Sequence, residues 1–138
     1  DELEEGVFFL SAMPVARVGD GAETLLADLA RAAITAAEAG ARMADAASCV
    51  HEGHRADVDD ALAALADLIG AEHRADDEER TTIAAVLAGD DGSAARVFSV
   101  VECARRIEGA TDRFAHAGHL MRALVIEGLD TREGRSPV

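Results

Sequence analysis

The sequence predicts an all-α protein, an antiparallel up-down three-helix bundle with a short extra helix at its N-terminal end. Three observations carry this. Hydrophobic residues make up 49% of the 138 residues but aromatics only 3%, with four Phe, no Tyr and no Trp. The apolar mass is therefore Ala, Leu, Val and Ile; alanine is the best helix former, and small side chains let helix axes approach closely. Apolar residues recur at three- and four-residue spacing through three long stretches, the period of an amphipathic helix. The only prolines, Pro14 and Pro137, lie outside those stretches. This length fits one domain with a real core. Helices of about 30 residues joined by short turns must pack antiparallel, giving a bundle about 45 Å long.

The elements follow in order. Residues 1–13 read as a helix or its remnant, with Leu3, Val7 and Leu10 on one side. Pro14 to Gly21 is a break. Asp20 with Glu23 three residues later forms a capping-box pattern, so a helix starts there and runs to about Cys49. Its inner stripe is Leu26, Leu29, Ala33, Ala36 or Ala37, Gly40, Ala44 and Ala47. His51 to His54 contains Gly53 and reads as a turn. The next helix runs from about Asp57 to Ala88, and Asp57, Asp59 and Asp60 favour the positive end of its dipole. Its stripe is Val58, Leu62, Leu65 and Ile69, continuing through Glu72, Asp76 and Arg80 to Ile83, Val86 and Leu87. Gly89-Asp90-Asp91-Gly92 is a loop and Ser93 an N-cap. The last helix runs from about Ala94 to Gly128, with Val97, Val100, Ala104, Ile107, Thr111, Phe114, Gly118, Met121 and Val125 inward. The tail from Asp130 to Val138 is polar and reads as frayed.

A formal net charge of −14 argues against nucleic acid, which needs a basic footprint, and against unassisted binding to an anionic membrane. It favours cations or a basic partner; the plain alternative is solubility alone. Cys49 and Cys103 fall on different helices with no CxxC, and read as small core residues in a reducing compartment. With no long apolar run and no signal peptide, the expected location is cytoplasmic. The chain begins at Asp1, without Met and inside a helical pattern, which reads as a fragment or a processed chain.

Two carboxylate pairs interrupt this frame: Glu72 with Asp76, and Glu108 with Asp112. Residues four apart share a helix face. Chance alone would supply roughly two or three such spacings in so acidic a chain, so the information lies in their setting. Glu72 and Asp76 fall within about 60° of the apolar centre of their helix, and Glu108 and Asp112 at the edge of theirs, roughly 100–140° away. His119 lies on that same edge and His116 further round. Antiparallel neighbours would bring four carboxylates together. Their repulsion would be relieved by a multivalent cation bound through oxygen, with Fe, Mn, Mg or Zn suited to the donor set. Arg74, Arg80, Arg105, Arg106 and Arg113 offer the metal-free alternative of ion pairs. Other chemistry is thin. There is no Gly-rich phosphate loop, no nucleophile elbow, no Glu-x-x-His repeat of di-iron bundles, and no aromatic platform for sugars. The chain is therefore not expected to be an enzyme.

Leu68-Ile-Gly-Ala-Glu-His-Arg-Ala-Asp76 resembles the "hydrophobic, acid, x, x, Ala, Asp" signature of PhoU-like phosphate-uptake regulators. Arg105-Arg-Ile-Glu-Gly-Ala-Thr-Asp-Arg113 resembles the corresponding "E-x-A-T-D-R" helix, and the likeness is strongest to the subgroup that accompanies Pit-type phosphate permeases. Such proteins are built from two similar three-helix bundles whose acid-xxx-Asp motifs bind multinuclear metal clusters. The resemblance covers residues 20–129, which would be the second bundle. Residues 1–19 would then be the end of a preceding bundle and a connector, with Asp1 and Glu5 at the end of its motif helix, and 130–138 a polar tail. It implies that Glu72, Asp76, Glu108 and Asp112 are metal ligands, with Fe or Zn favoured and Mn or Mg possible. It further implies a regulator or accessory of phosphate uptake whose partners are a phosphate transporter or a sensor kinase. Contact with the membrane would come only through that partner, and a homo-oligomer is expected. Where family members continue "D-R-C-E-D-V-A", this chain has Asp112-Arg-Phe-Ala-His-Ala-Gly118, without two acids and with His116. The alternative function is a metal-free helical scaffold with Arg-neutralised carboxylates.

Overall fold

The computed structural model describes residues 2–12, 20–50, 55–89 and 94–133. These hold four helices and no strand: α1 (Glu2–Ala12), α2 (Asp20–Cys49), α3 (Arg55–Ala88) and α4 (Ala94–Glu133). Helices α2, α3 and α4 each pack against the other two, and α1 packs against α4. Among the described residues no helix is long and apolar enough to cross a membrane.

The boundaries follow the periodicity closely. Helix α2 begins at Asp20, the residue whose spacing to Glu23 signals a start. Helix α3 begins at Arg55, slightly before the expected Asp57. Helix α4 continues to Glu133, so residues 130–133 are helical rather than frayed. No proline interrupts them, and the next glycine in the sequence is Gly134, the residue type that most often follows a helix end. The expected turn at 51–54, the loop at 90–92, the Ser93 cap and residues 134–138 lie outside the described residues.

The core runs along the bundle in three patches. At one end Leu26, Leu29, Val100, Cys103, Ala104 and Ile107 pack with Ala33 and Ala75. In the middle Ala36, Ala39, Leu68 and Ala71 meet, with Phe114 against them. At the other end Met43, Val50, Ala61, Ala64, Leu65 and Val125 close the bundle. Burial of this apolar surface is worth about 25 cal/mol per Å². Among the described residues, the two polar side chains in the core are satisfied by their own helix: the Thr82 hydroxyl donates to the Glu78 carbonyl at 2.7 Å and the Thr111 hydroxyl to the Glu108 carbonyl at 2.7 Å.

Helix α4 buries the stripe its sequence predicts, with Val97, Phe114 and Met121 half-buried at its edges. Helices α2 and α3 are turned from expectation. In α2 the buried positions past Ala36 are Ala39 and Met43, not Gly40 and Ala44. In α3 they are Ala61, Ala64, Leu65, Leu68, Ala71, Ala75 and Thr82, while Leu62 is 39% exposed. The reason is steric. Alanines face the neighbouring helices and bring the axes close, so Val58 and Ile69 flank the contact half-buried. The closest approach is at Gly118 of α4, where an added Cβ would stand 2.7 Å from Leu68 Cδ2 and 3.0 Å from Leu65 Cδ1. Cys103 is buried, and burial pushes its thiol up to about 11. Cys49 is exposed, contrary to its reading as a core residue, because the last turn of α2 points it outward.

Two outcomes follow from this packing. The Leu68 methyl in the way is fully buried among neighbouring side chains, so Gly118→Ala should overpack the α3–α4 contact and cost about 1–3 kcal/mol, read as a lower chemical-denaturation midpoint. An unchanged midpoint would refute the close approach. A thiol reagent should modify Cys49 in the native protein and reach Cys103 only after denaturation.

Candidate metal site

Helices α3 and α4 carry the acids. Glu72 and Asp76 lie at the border of the buried stripe of α3, their side chains 19% and 31% exposed. Glu108 is half-buried on α4 and Asp112 is exposed one turn later. The Glu108 carboxyl is the perturbed group, its pKa raised from 4.5 to about 7. Loss of hydration on burial is the largest cause. The negative charges of Asp112, Glu79 and Asp76 follow, and then a hydrogen bond to Asp112 that Glu108 can donate only while protonated. Three of the four residues read as ligands, Asp76, Glu108 and Asp112, are therefore electrostatic neighbours across the α3–α4 contact.

The fourth is placed differently. Glu72 is not among the charges that raise Glu108, and its carboxylate lies 3.5 Å from His73 Nε2. Glu79 takes part instead. The sequence held a signal for this: Glu72, Asp76 and Glu79 follow at spacings of four and three, the repeat that keeps residues on one helix side. A search for i,i+4 pairs alone passes over it. His116 and His119 are exposed, and His119 stands about 16 Å along the helix from Glu108, outside any shared site.

The arginines behave unevenly. Arg80 Nη2 lies 2.6 Å from Asp76 Oδ2, one turn along the same helix, and Arg80 Nη1 lies 3.3 Å from Asp77 Oδ1. Arg105 pairs with Glu102 at 3.4 Å and Arg106 with Glu5 of α1 at 2.7 Å. Arg74 extends back over Gly70. Among the described residues no group of three His, Cys, Asp or Glu side chains is arranged to hold a metal ion. The donor set still suits a hard or borderline cation, since every member is a carboxylate. Binding would require Glu108 to give up its proton and Asp76 to exchange Arg80 for the ion. No family model, curated protein or solved structure matches this chain.

The raised Glu108 carboxyl has a defined effect on stability. The folded protein holds this proton more tightly than the unfolded chain. The contribution is therefore fully present below about pH 4.5 and is lost as pH rises to about 7. Glu108→Gln removes the titration. Its melting temperature relative to the parent should climb across that window and level off above it, by a few degrees, at roughly 2–4 °C per kcal/mol for a domain of this order. A difference that does not change with pH would refute the crowding of charge around Glu108.

Proposed function

We propose that this chain is a metal-binding regulator or accessory of phosphate uptake, built as a PhoU-like three-helix bundle of α2, α3 and α4 with α1 as the extra helix. Its sequence likeness to that family at Leu68–Asp76 and Arg105–Arg113 supports the reading. The observation that carries it is the half-buried Glu108, whose carboxyl keeps its proton to about pH 7 through lost hydration and the negative charges of Asp112, Glu79 and Asp76. A carboxyl held protonated among other acids is a place where a multivalent cation could replace both its proton and the mutual repulsion. Asp76, Glu108 and Asp112, with Glu72 on the same face of α3, are the proposed ligands. Fe or Zn is the favoured ion, with Mn or Mg as alternatives. Bound metal would lock α3 to α4 and present a cationic point for phosphate or for an acidic segment. The acidic surface would meet a basic loop of a transporter or a sensor kinase on the cytoplasmic side of the membrane. No catalytic step is assigned.

A second reading rests on the Arg80 to Asp76 contact. If that pair persists, the acids are neutralised within α3 and the chain is a metal-free helical scaffold. Elemental mass spectrometry on protein purified without a metal-affinity tag separates the two. The proposal expects about one or more Fe, Zn or Mn per chain, lost in an Asp76→Asn/Asp112→Asn double variant that keeps its helical circular dichroism. Metal content unchanged in that variant would refute the ligand assignment. Metal-free protein whose melting point ignores added Fe, Zn or Mn would establish the scaffold.

A further inference from the structure

Helix α1 packs chiefly against α4, and a narrow cleft is left between α1 and α2. The floor of the cleft is α4, through Cys103, Ile107 and Phe114. Ala30, Ala33 and Ala37 of α2 form one wall and Gly6 of α1 the other. Val7 and Ile34 also line it and are 65% and 58% exposed, so they stand at its open rim. The cleft encloses about 360 Å³. Small residues create it, since three alanines and a glycine stand where larger side chains would close the gap. No charged side chain lines it, and its one heteroatom-bearing side chain is the Cys103 thiol, a weak hydrogen-bond donor. The acids of α3 and α4 take no part in it.

We propose that this cleft binds the hydrocarbon chain of a free single-chain amphiphile whose head group carries no negative charge, with the head at the open mouth. Water is a poor filling, because a held water needs two to four polar partners and these walls do not supply them. The shape favours a slender ligand: the floor from Cys103 to Phe114 runs about 16 Å along α4 and the alanine wall about 10 Å along α2. An apolar cavity of about 150 Å³ takes up benzene, so the same measure gives room for roughly ten to fourteen carbons here. Charge selects the head group. The chain carries a net charge of −14, which repels an anionic head. Arg106, which stands beside Gly6, is already held by Glu5 at 2.7 Å.

A methyl NMR titration of the 138-residue chain with 1-decanol tests this. Saturable shifts are expected at the Val7, Ile34 and Ile107 methyls, with a Kd on the order of 10–100 µM, while the remote Leu124 methyls stay unmoved. Two fewer methylenes leave less chain to bury, so 1-octanol should bind about tenfold more weakly. Decanoate at pH 8 should also bind at least tenfold more weakly than decanol. Ala37→Phe fills the cleft from α2 and should weaken decanol binding at least tenfold with unchanged circular dichroism. Ile34→Asp changes only an exposed rim position, so the fold tolerates it, and it should weaken binding as well. Absence of saturable shifts would overturn the proposal, as would shifts that spread to Leu124 or binding that ignores both variants. Decanoate bound as tightly as decanol would overturn the assignment of the head group. A doubled mass by light scattering that Ala37→Phe removes would give the cleft to another copy of the chain and overturn the proposal too.

Discussion

Alanine sets the terms on which these helices meet. It supplies more of the buried hydrophobic positions than any other residue, on α2, α3 and α4 alike. Small side chains cannot fill a wide gap, so the axes must run close for the core to pack densely. Gly118 takes this to its limit, with Leu65 and Leu68 of α3 occupying the space where its side chain would be. The larger residues Leu29, Met43 and Leu68 then act as isolated wedges in a thin core.

That closeness is what makes the acids interact. A carboxylate at the border of α3 and another at the border of α4 would be separated by solvent in a loosely packed bundle, and screened from one another. Here Glu108 is partly desolvated and faces three other acids, so it keeps its proton at pH values where an exposed glutamate has lost it. Arg80 offsets part of the charge, but from within α3 and on the solvent side of Asp76. Glu108 is still left among negative charges. That crowding is a cost to the fold, and the proposed metal binding would draw on the same acids.

The same helix serves two surfaces. One face of α4 enters the core through Val100, Ala104, Ile107, Thr111 and Val125. Its border toward α3 carries Glu108. Its outward side seats α1 near Arg106. Helix α4 is the longest of the four, and its length allows these roles to be distributed along it without competing for the same residues.

The sequence by itself determined that the protein is helical and where its long helices begin and end to within a few residues. Those properties are local. Periodicity, helix propensity and the placement of proline and glycine are written within a single turn or two of chain. Which side of each helix faces inward was legible for α4, whose branched residues carry the stripe, but not for α3, where Leu62 and Ile69 drew the reading away from Ala61, Ala64 and Leu68. That small rotation depends on how close the neighbouring helices come, which no single helix encodes. It also set the neighbours of the acids. Only the packed arrangement admits Glu79 beside Glu108, leaves Glu72 to His73, and holds His119 away. A carboxylate's neighbours across an interface are set by the rotation and separation of two helices together, and these come from the balance of all three interhelical contacts.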